Sequence, residues 1–344
     1  MEAALSPVER KAVLICGGAV KVPRDFRPPF RLSRSTAGPG AGSASLVLAF
    51  NGMRVKKAIS REEGEFELLG GPEGYSLLRN GMPFIDELEL KPVLYHAPEQ
   101  AFFNLGQECV FDCLFCTSRR LGKDFAKDLD LDRMVAMVLE ADRKGELKAV
   151  AFTSAVVGSV ERTVERMVRA VEMVRRALPR VPIGVEPYVS GFEDIDRLHE
   201  AGADELKLNI ESYDARIVRA VCPKLELPRQ LELLRYGVQV FGRGKVASNI
   251  LIGLGESDTN VLEGVAELAG MGVVPSIRAL KVNPLNRPAL EAALGELEPV
   301  TPERLLRLNV ETKKILMHHG LSTMTFRTMC HECGCCDLVP FKDL

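Results

Sequence analysis

A parallel β/α barrel, full or partial and TIM-like, is the fold that the sequence predicts for most of the chain. From about residue 100 onward, short apolar runs alternate with longer segments whose apolar residues recur at helical spacing. Strands of a parallel sheet have such runs because helices cover them, and repeated alternation is typical of β/α architectures. In barrels, functional side chains lie at the carboxyl ends of the strands. Residues that follow the predicted strands are therefore the candidates for chemistry.

The first part of the chain has a different pattern, which predicts a small β-rich module. Apolar runs at 12–16 and 45–50 are predicted as strands. Asn51-Gly52 is a hairpin signal before a third predicted strand at 54–59. The segment 33–43 is too rich in Gly, Ser and Pro for a regular element.

The barrel region contains seven predicted strands, at 101–106, 149–154, 181–187, 205–211, 246–254, 275–282 and 321–326. Between them, apolar residues at helical spacing predict amphipathic helices, most clearly over 131–139 and 160–174. The predicted organisation is a β-rich N-terminal module over 1–95, a barrel over 96–326 and a cysteine-rich C-terminal segment over 327–344.

The charge balance and the apolar pattern argue against two classes of partner. Lys and Arg total 45 against 47 Asp and Glu, so no basic field predicts nucleic-acid binding. No run of about 18 apolar residues predicts a membrane span. The first residues lack a signal-peptide pattern, so we expect a cytoplasmic protein. In that compartment the nine cysteines are expected to be metal ligands or reactive thiols rather than disulfides.

The most informative motif is a cysteine triplet behind the first predicted barrel strand. Cys109, Cys113 and Cys116 form a Cys-x3-Cys-x2-Cys run. Three thiolates at this spacing can hold three corners of a [4Fe–4S] cube and leave the fourth iron open to a chelating molecule. The alternatives are a structural zinc site or three buried thiols, but structural zinc usually has four ligands in paired clips. The triplet therefore predicts a cluster with an open iron.

Polar residues at the ends of later strands are candidates for holding such a molecule. Thr153 and Ser154 could hydrogen-bond an amino group. Asn209 and Glu211, two apart on a strand, would point the same way and could grip the hydroxyls of a ribose. Arg229, near the start of the next helix, could form a fork with a carboxylate.

A glycine pair after the strand at 246–254 completes this set. Gly253 and Gly255 would permit close backbone approach to an adenine plane. Each motif also has an ordinary structural interpretation: a turn or helix cap, a polar surface, a solvated arginine or a weak Gly-x-Gly match. Their joint occurrence at successive strand ends favours the functional interpretation.

The cysteine spacing, with Phe115 just before the last cysteine, resembles the signature of the radical SAM superfamily. In that superfamily the open iron chelates S-adenosylmethionine, and reduction cleaves it to a 5′-deoxyadenosyl radical. The resemblance implies that the three cysteines are catalytic. It also implies that Phe115 and the strand-end residues bind this cofactor.

Within the superfamily, the order of the motifs is similar to biotin synthases and lipoyl synthases. The similarity rests on Asn209-x-Glu211, Arg229 and Gly253-Leu-Gly-Glu256, while Thr153-Ser154 resembles the Thr-Ser of lipoyl synthases. Residues 1–95 and the C-terminal segment fit neither family's usual pattern. One member of an archaeal two-component lipoate synthase, whose two members look like biotin synthases, is the better match.

A second cysteine cluster lies in the C-terminal segment, at Cys330, Cys333, Cys335 and Cys336. Four thiols within seven residues could ligate a second [4Fe–4S] cluster, which the spacing favours, or a four-thiolate zinc ion. Adjacent cysteines do not easily serve one tetrahedron, so one of the four is expected to be spare. His331 is expected to be a helper or bystander. Cys16 is expected to be buried, and Cys222 has no evident partner.

The resemblance implies a radical SAM enzyme of the sulfurtransferase type. The leading hypothesis is sulfur insertion at C–H positions of an octanoyl chain on a lipoyl carrier protein, with the second cluster as sulfide source. Alternatives are a biotin-synthase-like enzyme of another cofactor, acting on a small molecule, or a peptide-modifying enzyme, with the second cluster in electron transfer. A non-catalytic iron–sulfur scaffold is the remaining one. Expected partners are an electron donor such as ferredoxin and a companion radical SAM protein.

Overall fold

The computed structural model describes residues 5–30, 32–34, 44–71, 73–121 and 129–344. These residues form two seven-stranded sheets with helices packed around the second. One continuous cluster of buried apolar side chains extends from the first sheet to the second, and includes Phe66 and Phe152. Most of the segment predicted to be irregular, 35–43, lies outside the described residues. Its first two residues, Ser33 and Arg34, form a short strand, so the prediction was wrong there.

The chain begins with a helix, α1 (Pro7–Cys16), where the sequence predicted a strand over 12–16. That prediction was wrong because the helix-start signals upstream dominate. Ser6 and Glu9 form a capping box, and Pro7 stands at the first helical position. The apolar run is continuous because α1 packs on one side against the N-terminal sheet and on the other against a late helix.

The N-terminal sheet curls so that its last strand also pairs with an early one. Its strands are β1 (Val20–Lys21), β2 (Ser33–Arg34), β3 (Ala44–Phe50), β4 (Met53–Ser60), β5 (Phe66–Gly71), β6 (Gly74–Arg79) and β7 (Met82–Lys91). Their order is β2-β3-β4-β1-β5-β6-β7, with β3 also pairing β7. The predicted Asn51-Gly52 hairpin is confirmed between β3 and β4, and both turn residues have positive φ.

The second sheet is a partial parallel barrel, as predicted. Its strands are β8 (Tyr95–Ala97), β9 (Gln100–Asn104), β10 (Ala149–Thr153), β11 (Ile183–Glu186), β12 (Glu205–Lys207), β13 (Val246–Ile252) and β14 (Val274–Ala279). They lie in sequence order, and β9 to β14 are parallel. Within the described residues, no pairing between β8 and β14 closes the barrel.

Helices follow the barrel strands and cover their outer side. They are α2 (Leu131–Arg143), α3 (Val160–Ala177), α4 (Phe192–Glu200), α5 (Ala215–Val221), α6 (Leu227–Phe241), α7 (Asp258–Met271), α8 (Arg287–Leu294) and α9 (Pro302–His318). A further short helix, α10 (Met329–Cys333), lies in the C-terminal segment. The two predicted amphipathic helices are α2 and α3, which bury Met134 and Met167 on their inner faces. Within the described residues, none of the helices combines the length and apolarity that a membrane crossing needs.

The seventh predicted strand, 321–326, is wrong: a 3-10 helix spans Thr323–Thr325. The Ser322 hydroxyl accepts a hydrogen bond from the backbone of Met324, and the Thr325 hydroxyl donates to Ser322. Such local bonds compete with a strand ladder. The predicted strand 205–211 also ends early, at Lys207, and beyond it Glu211 forms only an isolated bridge to Ile250.

After this 3-10 helix, the C-terminal segment 327–344 enters the barrel. The buried Glu205 carboxylate accepts hydrogen bonds from the backbone of Arg327 and Thr328 at 2.9 and 3.0 Å. Gln100 binds both backbone groups of Met329, at 2.8 and 3.2 Å. Both anchors lie at the first residues of barrel strands, so the segment fills the barrel from its amino-terminal end.

Candidate active site

A cavity of about 590 Å³ lies inside the barrel, above the C-terminal segment. Its wall is built from the loop after β9, the carboxyl ends of β10 to β14 and the C-terminal segment. Seven of the predicted site residues line it: Phe115, Cys116, Thr153, Asn209, Glu211, Cys330 and Cys336. One cysteine of the triplet and two of the C-terminal cysteines thus face the same cavity.

The loop with the cysteine triplet is held in place by hydrogen bonds to its backbone groups. Leu114 donates to the carbonyl of Val221 at 2.8 Å, and the Arg120 guanidinium donates to the carbonyls of Cys113 and Cys116 at 3.1 and 2.7 Å. The three thiols are half-buried. Asn286 fixes the loop further by donating to the carbonyl of Phe115 at 2.9 Å, and the Phe115 side chain lines the cavity.

The donor set suits three corners of an iron–sulfur cube, because it consists of three thiols on one anchored loop beside an open space. In the described part of the chain, no three His, Cys, Asp or Glu side chains group as the ligands of one metal ion. A cube makes a different demand, since each of its thiolates binds a different iron. The Cys222 thiol donates a hydrogen bond to Cys113, which lowers the pKa of Cys113 and raises that of Cys222.

The polar side of the cavity is a connected set of carboxyl and amide groups. The Asn209 amide donates to Glu186 at 2.9 Å and accepts from the backbone of Asn249 at 3.1 Å. Glu211 has a left-handed backbone with φ of 63°. Burial, and then the charge of Glu186, raises the pKa of Glu211 to about 7. Asn209 and Glu211 therefore face one space, as their spacing predicted.

The opposite side of the cavity is apolar. It is formed by Tyr95, Phe102, Phe103, Leu129 and Met137. The rings of Tyr95 and Phe103 stack with centroids 4.7 Å apart. A molecule in this cavity would thus contact polar groups on one side and an apolar surface on the other.

Eight of the fifteen predicted site residues do not line this cavity: Cys109, Cys113, Ser154, Arg229, Gly253, Gly255, Cys333 and Cys335. The Ser154 hydroxyl donates to the carbonyl of Ala155 at 2.7 Å. Arg229 forms an ion pair with Glu232 at 2.9 Å and lies over the ring of Phe192. This arginine is half-exposed on the outside of the barrel, so the fork to a carboxylate in the cavity is not seen.

The two glycines, Gly253 and Gly255, lie in a tight turn that the Glu256 carboxylate holds through the backbone of Gly253 and Leu254. The buried Glu256 carboxylate accepts from the backbone of Gly253 at 2.9 Å and pairs with Arg304 at 2.8 Å. Both glycines have positive φ, and a Cβ on Gly253 would lie 2.8 Å from Val300. The Gly-Leu-Gly-Glu motif is therefore explained by the turn that it forms.

The four C-terminal cysteines divide into two pairs. Cys330 and Cys336 line the cavity. Cys333 and Cys335 are buried in an apolar cluster with Phe102, Ala151 and Met329. The His331 ring packs on Phe326, and burial lowers its pKa to about 4, so the imidazole is held as a neutral core group.

Sequence reasoning missed several charged residues around the cavity, namely the buried Lys207 and the half-buried Glu186, Arg278 and Lys281. Lys207 pairs with Glu186 at 3.2 Å, and Arg278 pairs with Asp337 at 2.6 Å. Lys281 lines the cavity and donates to the carbonyl of Ile15. A charged residue inside the apolar run of a predicted strand was the signal that could have found them. Such side chains are rarely buried without a partner, so each one predicts a paired charge in the interior.

Comparison with known proteins agrees with this geometry. Residues 103–268 match the model of the Radical SAM superfamily. Among curated relatives, lipoyl synthase of Chlamydia abortus is 26% identical over 206 residues, which covers 58% of this chain and 64% of that protein. Lipoyl synthase of Kineococcus radiotolerans is 26% identical over 235 residues, covering 63% and 62%. The chain thus spans less than two thirds of the length of these relatives.

Solved structures give the fold alone. The FeFe-hydrogenase maturase HydG from Carboxydothermus hydrogenoformans superposes with a TM-score of 0.53 at 19% identity, covering 64% of this chain and 52% of that one. Methylornithine synthase (PylB) gives 0.51 at 16% identity, covering 65% and 70%. The matched region contains the cysteine triplet, and the superfamily implies a [4Fe–4S] cluster and S-adenosylmethionine. The region 103–268 is therefore a radical SAM domain, and it resembles the corresponding region of lipoyl synthases.

Proposed function

We propose that this radical SAM enzyme inserts sulfur at unactivated C–H positions of an octanoyl chain carried by a lipoyl carrier protein. In this proposal the triplet Cys109, Cys113 and Cys116 holds the first cluster, and the C-terminal segment holds a second cluster that is the sulfide source. The barrel, 96–326, carries the radical chemistry. The observation that supports the proposal most directly is that Cys330 and Cys336 line the same cavity as Cys116.

When bound, the first cluster and S-adenosylmethionine would supply a primary carbon radical that abstracts hydrogen from an alkyl carbon. Around that event, the chain's own residues bind and shield. Asn209 and Glu211 are placed to take ribose hydroxyls, and Thr153 to take the amino group. The aromatic wall at Tyr95, Phe102 and Phe103 would hold an unbranched alkyl chain and exclude water from it.

The similarity to lipoyl synthases adds support for this substrate, at low identity and over part of their length. A ferredoxin-like electron donor and a companion radical SAM protein belong to the same proposal. The second candidate, a biotin-synthase-like reaction on another substrate, keeps the same cavity and assigns the second cluster to electron transfer. The fate of the sulfide separates the two.

The experiment compares wild type with a variant in which Cys330, Cys333, Cys335 and Cys336 are all replaced by serine. Both are reconstituted anaerobically with heavy-isotope sulfide and incubated with S-adenosylmethionine, dithionite and octanoylated carrier protein. We expect the variant to bind about four fewer irons per chain. We also expect it to form 5′-deoxyadenosine without a sulfur-bearing carrier, whereas wild type transfers heavy sulfur to the carrier. An unchanged iron count, or a product without label, would overturn the proposal.

A further inference from the structure

Two cationic side chains donate hydrogen bonds to one sulfur of the C-terminal segment. Lys207, on β12, places its Nζ 3.2 Å from the Sγ of Cys330. Arg278, on β14, places its Nη2 3.3 Å from the same atom. The Lys207 side chain is 2% exposed, so its charge is not shared with solvent. Hydrogen bonds from a charged donor are stronger than those between neutral groups.

Each cation is itself fixed by a carboxylate. Glu186 lies 3.2 Å from Lys207 Nζ, and Asp337 accepts from Arg278 at 3.1 Å from Nε and 2.6 Å from Nη2. The fork between Arg278 and Asp337 leaves little freedom to the guanidinium. Both donors are therefore oriented toward Cys330 by their carboxylate partners.

The other three C-terminal thiols have different surroundings. Cys333 and Cys335 pack in an apolar cluster, and the Cys335 thiol donates to the carbonyl of Cys333 at 3.4 Å. Cys336 faces the cavity, but among the described residues no lysine or arginine donates a hydrogen bond to its sulfur. Cys330 is thus the thiol that the barrel strands contact through charged groups.

We infer that Lys207 and Arg278 are positioning residues that hold Cys330 as the cavity-facing ligand of the second cluster and stabilise the reduced form of that cluster. The inference rests on the proposed function, because it assumes that the C-terminal cysteines bind a cluster. Reduction adds negative charge, and hydrogen bonds and positive charges at a ligand sulfur favour the more negative state. Removing either donor lowers the reduction potential.

The test isolates the second cluster by replacing Cys109, Cys113 and Cys116 with alanine. In that background, Lys207→Met is compared with Lys207→Arg, which keeps a charged donor. The matched control is Lys57→Met, which removes another buried lysine whose partners are the carbonyls of Leu14 and Gly17. Iron content and the midpoint potential, from a redox titration followed by EPR, are the two measurements.

We expect Lys207→Met to shift the midpoint potential to a more negative value or to lose iron, while Lys207→Arg retains most of both. Lys57→Met leaves both unchanged. Because Lys207→Met leaves Glu186 without its charged partner, the double variant Lys207→Met/Glu186→Gln removes the ion pair together and guards against misfolding. It is expected to show a smaller negative shift, because the negative charge of Glu186 is lost with the lysine.

Two outcomes would overturn the inference, and they are distinguishable. If the single or the double variant binds iron with an unchanged potential, Lys207 has no role at Cys330, and the proposed function is untouched. If the triple-alanine background itself binds no iron, the second cluster is absent, and the proposed function fails together with the inference.

Discussion

Glu211 shows how one residue in this barrel combines backbone and electrostatic constraints. Its backbone leaves the β12 ladder in a left-handed conformation, with φ of 63°, and rejoins β13 through a single bridge to Ile250. Non-glycine residues rarely adopt this conformation, and they do so mostly where surrounding structure holds them. The result is a buried carboxyl group that faces the cavity beside Glu186, where ionisation is disfavoured.

Replacing Glu211 by glutamine should change how the stability of the iron-free protein depends on pH. The pKa of Glu211 is raised from 4.5 to about 7. Its contribution to stability is therefore fully present below about pH 4.5 and is lost as the pH rises through about 7. We expect the free energy of unfolding of Glu211→Gln to exceed that of wild type by on the order of 1–3 kcal/mol at pH 8, with a smaller difference at pH 5. Urea unfolding at both pH values measures this.

The matched control for that prediction is Glu146→Gln, since Glu146 is exposed. This control should leave the pH dependence of stability as in wild type. A pH profile of Glu211→Gln that runs parallel to that of wild type would show that the Glu211 carboxyl group is ionised normally in the folded state.

At the scale of elements, the C-terminal segment and β11 depend on each other through a glycine. A Cβ on Gly184 would lie 2.1 Å from Oγ1 of Thr328 and 3.0 Å from the Met329 side chain. Any amino acid other than glycine at position 184 would prevent the segment from passing so close to the strand. Gly184 and the anchor at Glu205 therefore act together in seating the segment inside the barrel.

Gly184→Ala should displace the C-terminal segment from the barrel. We expect a loss of about 1–3 kcal/mol in the free energy of unfolding, because overpacking in a tight interior forces the neighbours to move. We also expect faster alkylation of Cys333 and Cys335 in the iron-free protein. Gly191→Ala is the control, since its Cβ would have its nearest neighbour, an Arg229 nitrogen, at 4.0 Å. Wild-type stability and alkylation in Gly184→Ala would contradict the proposed seating.

At the scale of the whole molecule, a buried ion pair joins the first helix to the last residues. Lys11 of α1 lies 2.6 Å from Asp343, and the two side chains are 1% and 4% exposed. Lys11 also donates to the carbonyl of Gly334 at 2.7 Å. The N-terminal helix thus closes over the C-terminal segment and fixes it from outside the barrel.

Removing one partner of this pair should be strongly destabilising. Removing both partners should destabilise the protein by less than the sum of the two single substitutions. We expect Lys11→Met to lower the free energy of unfolding by about 3 kcal/mol, because it leaves a buried carboxylate unpaired. Lys11→Met/Asp343→Leu should lose less than the two single variants added together. A double-mutant cycle by chemical denaturation measures the coupling.

The exposed pair Lys314 and Glu311, at 2.7 Å, provides the control for this cycle. Its coupling should be below about 1 kcal/mol, as for other surface pairs. Equal coupling energies for the buried and the exposed pair would show that burial at Lys11 and Asp343 has no energetic consequence.

Much of the barrel and part of the site followed from local patterns. Six of the seven predicted barrel strands lie in the parallel sheet, because each of them is an apolar run that a helix covers. Asn209 and Glu211 line the cavity together, as predicted, although both lie beyond the end of β12 at Lys207. The error at 12–16 arose because an apolar run of five residues fits a strand and a doubly covered helix equally well.

The sequence by itself determined the superfamily chemistry, because the three cysteines and their strand lie within one short segment whose spacing is local. Only the tertiary structure decided which cysteines share a cavity, that Lys207 and Arg278 reach Cys330, and that Arg229 lies outside. These contacts join residues more than fifty positions apart, and they depend on how far each strand turns around the barrel. Local spacing contains no information about that rotation, so the C-terminal segment could be read as a cluster motif but not as the inner wall of the active site.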